Sequence, residues 1–209
     1  MTASNTPAPD TVPNHHAHYP GFAGLAGIVA AATMSIGRQG DARLVARLSG
    51  LAPGDTVVDV GCGPGAAARS AARAGASVTG VDPAQVMLRV ARLLTRPSRR
   101  VRFVQGAAED LPLPDDAASV LWTIASVHHW TDVDAGLREA RRVLKPGGRF
   151  VALERRSQPD AHGLAGHGWT DDRAAAFADC CVTHGFVQVR VDRHEGGRKK
   201  TVSVTATAA

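Results

Sequence analysis

Thr56-Val57-Val58-Asp59-Val60-Gly61-Cys62-Gly63-Pro64-Gly65-Ala66 is the stretch whose reading decides the fold. A run dominated by β-branched side chains follows the turn residues Pro53-Gly54-Asp55, as a short buried strand does. The strand runs into Gly61, Gly63 and Gly65, and then into an alanine-rich segment, residues 66–74, suited to a helix. A strand, a glycine loop and a helix N-terminus in that order form a ligand-binding corner of an open α/β sheet. Without Cβ atoms, the glycines let the backbone turn sharply and approach a ligand, to which their N–H groups can donate.

Outward from that corner the strand-helix unit repeats. Residues 77–81 read as a second strand, followed by Asp82, by Pro83 at an expected first helical position, and by an apolar stripe of Val86, Met87, Val90, Leu93 and Leu94. Further strands are predicted at 101–105, 119–124 and 149–154. A helix is predicted over 132–144, ended by Pro146-Gly147-Gly148. A last helix over 171–184 precedes two strand-like runs, 186–191 and 201–206, separated by Glu195-Gly196-Gly197, which is hairpin spacing. Helical crossovers require parallel strands, so the expected fold is α/β. It has a mostly parallel seven-stranded sheet, helices on both faces and an antiparallel strand from the C-terminal hairpin.

With 209 residues and 44% hydrophobic composition, the chain can bury one sizeable core. Residues 1–14, rich in Pro, Thr, Ser and Ala, are expected to form a disordered tail. Residues 15–50 are small and apolar and suggest an N-terminal helical cap, with Asp41 as an N-cap ahead of Leu44, Val45 and Leu48; residues 51–209 hold the main domain. No apolar run reaches the roughly 18 residues that span a bilayer, and no export signal is visible, so the cytoplasm is the expected compartment. Cys62, Cys180 and Cys181 match neither a disulfide framework nor a zinc site, and no metal is expected. The formal charge of +5 comes from scattered clusters, and aromatic residues, at 4%, do not interleave with them as stacking platforms for nucleic acid would.

Two adenosine cofactors compete for the glycine loop. Gly61-x-Gly63-x-x-Ala66 satisfies a loose dinucleotide fingerprint, and Asp82, at the end of the second strand, could accept hydrogen bonds from ribose hydroxyls of either cofactor. The wider company of the loop separates them. Asp59-x-Gly61-x-Gly63-x-Gly65 resembles motif I of class I S-adenosylmethionine-dependent methyltransferases. Gly106-Ala107-Ala108-Glu109-Asp110-Leu111-Pro112, Val127-His128-His129-Trp130 and Arg142-Val143-Leu144-Lys145-Pro146-Gly147-Gly148 resemble segments of the ubiquinone/menaquinone-biosynthesis-like branch (methyltransferase type 11).

The resemblance implies the Rossmann-like class I fold and S-adenosylmethionine as cofactor. It implies a binding set of Asp59, Gly61, Cys62, Gly63, Gly65, Asp82, Pro83, Met87, Ala107, Ala108, Glu109 and Ala125. Ala107 stands where that branch carries Asp or Asn to accept from the adenine amino group. Adenine would then rest on the Ala108 backbone and on packing, or on Glu109 or Asp110 moving in.

Methyl transfer from a sulfonium is an in-line displacement with a good leaving group, so orientation and exclusion of water dominate. A base is needed only where the acceptor must lose a proton, and His128 and His129, just past the fourth strand, are the candidates for it. Thr123-Ile124-Ala125-Ser126 lacks the [DN]-P-P-[YF] motif of enzymes that methylate exocyclic amines or amides. A small, apolar or aromatic acceptor is expected, capped by residues 15–36, where His15, His16, His18 and Tyr19 either line the acceptor pocket or form a solvated, weakly metal-attracting surface tract; Trp130 and Trp169 either wall the pocket or, as large apolar side chains more often do, lie in the core. Two other classes fit parts of the sequence: a non-catalytic binding protein, favoured by Ala107, and an RNA methyltransferase, favoured by the positive charge.

Overall fold

Val57, Val58 and Val60 are all buried, as an apolar run covered on both faces requires. They belong to β1 (Thr56–Val60), an interior strand of a seven-stranded sheet completed by β2 (Ser77–Asp82), β3 (Val101–Gln105), β4 (Ala118–Ile124), β5 (Leu144–Arg155), β6 (Phe186–His194) and β7 (Thr201–Ala208). The computed structural model describes residues 39–96, 98–159, 168–196 and 200–209. The tail at 1–14 and the acceptor cap assigned to 15–36 lie outside the described residues.

The strand order is β3-β2-β1-β4-β5-β7-β6. β1 to β5 run parallel, and β7 runs antiparallel to both β5 and β6, which is the expected hairpin. From β1 the chain winds outward through β2 to β3, then returns to the other side of β1 as β4. The order therefore reverses between β1 and β4, and the crevice at their carboxyl ends is where such a sheet binds ligands.

Two helical layers sandwich the sheet. On one face α1 (Gln39–Leu48), α2 (Ala66–Arg73) and α3 (Gln85–Leu94) bury Val45, Ala68, Ala71, Leu88 and Ala91 against Val57, Trp122 and Leu153. On the other, α4 (Val133–Val143) and α5 (Asp171–Thr183) bury Leu137, Val143, Phe177 and Cys181 against Leu121, Phe150 and Val204.

Local departures from the sequence reading have identifiable causes. Asp41 lies inside the first turn of α1 and is not its N-cap. Pro83 is not the first helical residue: α3 starts at Gln85, after Ala84 in an extended conformation, and the Ala84 N–H donates to the Asp82 carboxylate at 2.9 Å. Pro146-Gly147-Gly148 does not separate helix from strand. The helix gives way at Leu144, and residues 145–148 form an irregularity inside β5, whose register against β4 jumps from Ala118↔Leu144 to Val120↔Arg149. Of the two alternatives for Trp130 and Trp169, the core is the one found. Both are buried around Phe177, and a Cβ on Gly136 would come within 2.4 Å of the Trp130 ring, which explains a glycine inside α4.

Candidate cofactor and acceptor site

The loop after β1 is built from left-handed glycines. Gly61, Gly63 and Gly65 have φ of 70°, 51° and 75°, a region that L side chains enter only at a cost. Gly61 needs the space as well: an ideal Cβ there would lie 1.9 Å from Ser126 Oγ and 2.6 Å from Ser126 Cβ, so the loop is pressed against the turn that follows β4. Over Gly63 there is open space instead.

The glycine N–H groups do not serve as expected from the sequence. Gly61 donates to Val81 O at 2.8 Å, Gly63 to Asp82 Oδ2 at 2.8 Å and Gly65 to Cys62 O at 2.9 Å. A loop that cradles a pyrophosphate presents such donors to its ligand; here they hold the loop's own shape. Beside it lies a depression lined by Asp59, Gly61, Cys62, Pro64, Ala66, Ala67 and Ile124. Ala66 and Ala67 open α2, whose N-cap Gly65 has no side chain to offer, so the positive end of the helix faces this depression.

Asp59 is 2% exposed and sits in register between Gly80 on β2 and Trp122 on β4. Cys62 packs beneath the loop, where a Cβ on Gly80 would meet its sulfur at 2.9 Å. Burial pushes the Cys62 thiol well up, so it stays protonated and acts as an apolar filler.

Asp82 is nearly buried and grips two backbone segments at once, through Gly63 N–H and Ala84 N–H. The residues expected from the sequence to border adenine follow. Met87 is buried in α3, Ala108 is buried after β3, and Ala107 makes an isolated bridge with Asp110. Glu109 has not moved toward that side: its Oε1 accepts the N–H groups of Thr131, at 2.5 Å, and Asp132, at 3.2 Å. The polar side chain at this end of β3 is Gln105, whose amide donates to Pro83 O at 3.0 Å.

The turn after β4 completes the site. Ala125 has a φ of 49°, uncommon for alanine, and its N–H donates to Leu153 O at 2.7 Å. A single 3₁₀ turn, Val127–His129, then carries the two histidines. They stand differently: His129 is exposed, whereas His128 meets the carboxylate of Glu154, its Nδ1 lying 2.9 Å from Oε2. The sequence reading missed Glu154 and Ser126. The available signal for Glu154 was a lone acid ending the apolar run Val151-Ala152-Leu153 on the ligand side of the sheet.

Arg142 explains why the segment before β5 matters to the site. Its guanidinium donates to Leu111 O, Leu113 O, Asp115 and Glu139, and Glu139 in turn accepts Leu111 N–H at 2.8 Å. This latch fixes the loop that begins at Ala107. Arg142→Ala is expected to lower stability by about 2 kcal/mol, or the melting temperature by about 4 to 8 °C, measured by thermal unfolding. Hydrogen bonding to Arg142 holds the Glu139 carboxyl below its ordinary 4.5. Its stabilisation is therefore present above that pH and lost as pH falls through the lowered value, and the variant should lack this acid-dependent part.

A mostly parallel seven-stranded sheet closed by an antiparallel hairpin, with a left-handed glycine loop at its switch point and acids ending β2 and lining β1, defines the Rossmann-like class I methyltransferase fold. Residues 58–152 match the family described as methyltransferase domain. Among its relatives is a demethylmenaquinone methyltransferase of Tropheryma whipplei (strain Twist), 37% identical over 114 residues, covering 54% of this chain and 46% of the relative. Another is a 27-O-demethylrifamycin SV methyltransferase of Amycolatopsis mediterranei, 37% identical over 131 residues, covering 58% and 47%. The chain thus spans about half the length of these curated relatives. A crystal structure of a SAM-dependent methyltransferase from Aquifex aeolicus shares the fold with a TM-score of 0.70 at 18% identity, covering 87% of this chain and 98% of that one.

The residues present fit that family's cofactor: open space above Gly63, the start of α2 toward a carboxylate, and buried Asp59 on the floor of the depression. Among the described residues no helix is long and apolar enough to cross a membrane.

Proposed function

We propose that this chain transfers a methyl group from S-adenosylmethionine to a small, apolar or aromatic acceptor. The observation that carries the reading is the glycine loop, whose N–H groups are spent on its own shape while the depression beside it combines a buried acid with a helix N-terminus. That combination suits a zwitterionic amino-acid end: Asp59 toward the ammonium, the first residues of α2 toward the carboxylate. When bound, the sulfonium supplies an electrophilic methyl group.

Asp82 is suited to the ribose, since it ends β2 at the switch point, held in place by Gly63 N–H and Ala84 N–H. Pro83, Met87, Ala107 and Ala108 border the adenine in this reading, with packing in place of the side-chain acceptor that Ala107 lacks. Gly61 and Ala125 shape the passage to the acceptor. The relatives' names, one a demethylmenaquinone methyltransferase and one a 27-O-demethylrifamycin SV methyltransferase, support an aromatic or polyketide-like acceptor.

The test is transfer of labelled methyl from S-adenosylmethionine to a panel of quinols, phenols and macrolides, with bulk RNA and free amines alongside. Label is expected in an apolar hydroxylated compound. Label appearing only in RNA would replace this reading with an RNA methyltransferase.

A further inference from the structure

Residues 83–108, which include α3 and the edge strand β3, hold six arginines and no Asp or Glu, more than the chain's whole formal excess of +5. All six are exposed. Arg89 and Arg92 lie on the outward side of α3, whose inward side buries Leu88 and Ala91; Arg96 follows the helix, Arg99 and Arg100 precede β3, and Arg102 stands on it. Their hydrogen bonds go to neutral groups. Arg92 donates to Phe103 O at 2.9 Å, Arg100 to Gly75 O at 2.9 Å, Arg102 to Thr79 Oγ1 at 2.8 Å and Arg89 to Gln85 Oε1 at 3.4 Å. Among the described residues no carboxylate forms an ion pair with any of the six. The positive charge of this edge is therefore oriented but not compensated.

Within this basic stretch stand Leu93 and Leu94, 85% and 51% exposed, the first being the most exposed large hydrophobic side chain among the described residues. Burial of two adjacent leucines is a gain that water denies them. A partner for this surface must be anionic and must also take up apolar side chains. Nucleic acid meets the first requirement and not the second, and the one aromatic ring of the stretch, Phe103, is buried and cannot stack on bases. An anionic bilayer meets both, since headgroup phosphates take the arginines and the acyl boundary takes the leucines.

We propose that the edge formed by α3 and β3 docks on an anionic lipid bilayer, with Leu93 and Leu94 inserted between headgroups and the surrounding arginines on lipid phosphates. α3 carries the chain from Asp82, at the carboxyl edge of the sheet, to the opposite edge, where β3 begins. Its 10 residues put Leu94 roughly 14 Å from Gln85. Docking through that end leaves the depression beside Asp59 uncovered, so it locates the chain without gating the site. What the docking serves rests on the acceptor proposed above, because an apolar molecule collects in a bilayer; the docking itself does not depend on it.

Vesicle flotation of the full chain, with no cofactor or acceptor present, reads this surface independently of methyl transfer. The chain should float with vesicles of phosphatidylcholine carrying about 30% phosphatidylglycerol and not with phosphatidylcholine alone. Partitioning should fall at least about tenfold between about 0.05 M and about 0.5 M salt. The double variant Arg96→Gln/Arg99→Gln should weaken it about 25-fold, near fivefold per arginine, and Leu93→Ser/Leu94→Ser at least about tenfold. All four side chains are exposed, so both variants should melt within about 2 °C of the wild type. Three results overturn the proposal: a wild-type chain that does not float with the anionic vesicles at low salt, a leucine variant that partitions like the wild type, or tighter binding to bulk RNA than to the vesicles at equal phosphate concentration. A wild-type dimer that Leu93→Ser/Leu94→Ser dissociates in sedimentation velocity also overturns it, by assigning the leucines to a second copy of the chain.

Discussion

Gly61→Ala is expected to raise the dissociation constant for S-adenosylhomocysteine at least about a hundredfold, or about 2.8 kcal/mol, in a chain that still folds. The new methyl group would lie 1.9 Å from Ser126 Oγ and 2.6 Å from Ser126 Cβ. Rotating the serine side chain relieves the first clash but not the second, so the loop or the turn after β4 must move. Both carry the proposed site: one is the glycine loop, the other leads to His128. Alanine at φ 70° adds strain of about 1 to 2 kcal/mol on its own. The double variant Gly61→Ala/Ser126→Gly removes both nearest atoms, leaving Ser126 Cα at an ordinary 3.9 Å, and should recover much of the lost affinity by calorimetric titration. If the double variant binds no better than Gly61→Ala, steric contact with Ser126 is not what makes this glycine necessary.

Asp82→Ala should be as damaging, for a different reason. Its carboxylate holds Gly63 N–H and Ala84 N–H, so the substitution strips an acceptor from the cofactor loop and from the entry to α3 together. Hydrogen bonds to a charged acceptor contribute about 1.5 to 3 kcal/mol each, which puts the loss near 3 kcal/mol and the fall in melting temperature at about 6 to 12 °C. Asp82→Asn keeps one acceptor oxygen and should fall between. Titration with analogues lacking ribose hydroxyls separates the scaffold from the ligand contact. Removing the hydroxyls should weaken wild-type binding more than it weakens binding to Asp82→Asn, and equal losses in the two would mean that Asp82 does not touch the ribose.

Much of the fold was legible because its signals are local. The β-branched runs at β1 and β2, the glycine loop and the hairpin spacing of β6 and β7 each depend on a few adjacent residues, and all appear where the sequence places them. What stayed hidden depends on tertiary partners. Pro146-Gly147-Gly148 has the composition of a helix stop, yet pairing of Leu144 with Ala118 draws it into β5 as an irregularity. The glycine N–H groups looked available to a ligand, and nothing in the sequence indicates that Val81 O, Asp82 and Cys62 O would claim them. Glu109 looked ready to replace the acceptor missing at Ala107, but Thr131 and Asp132 hold it. Likewise, adjacent histidines are indistinguishable in a chain until a buried carboxylate from another strand selects His128.

Calorimetric titration of the full chain with S-adenosylhomocysteine, and in parallel with NAD, tests the central claim most directly. One saturable site of dissociation constant below about 100 µM for S-adenosylhomocysteine, with no heat from NAD, is the expected result. Saturable binding of NAD, or no saturation by S-adenosylhomocysteine at millimolar concentration, would contradict the assignment of the loop between Asp59 and Ala66 to S-adenosylmethionine.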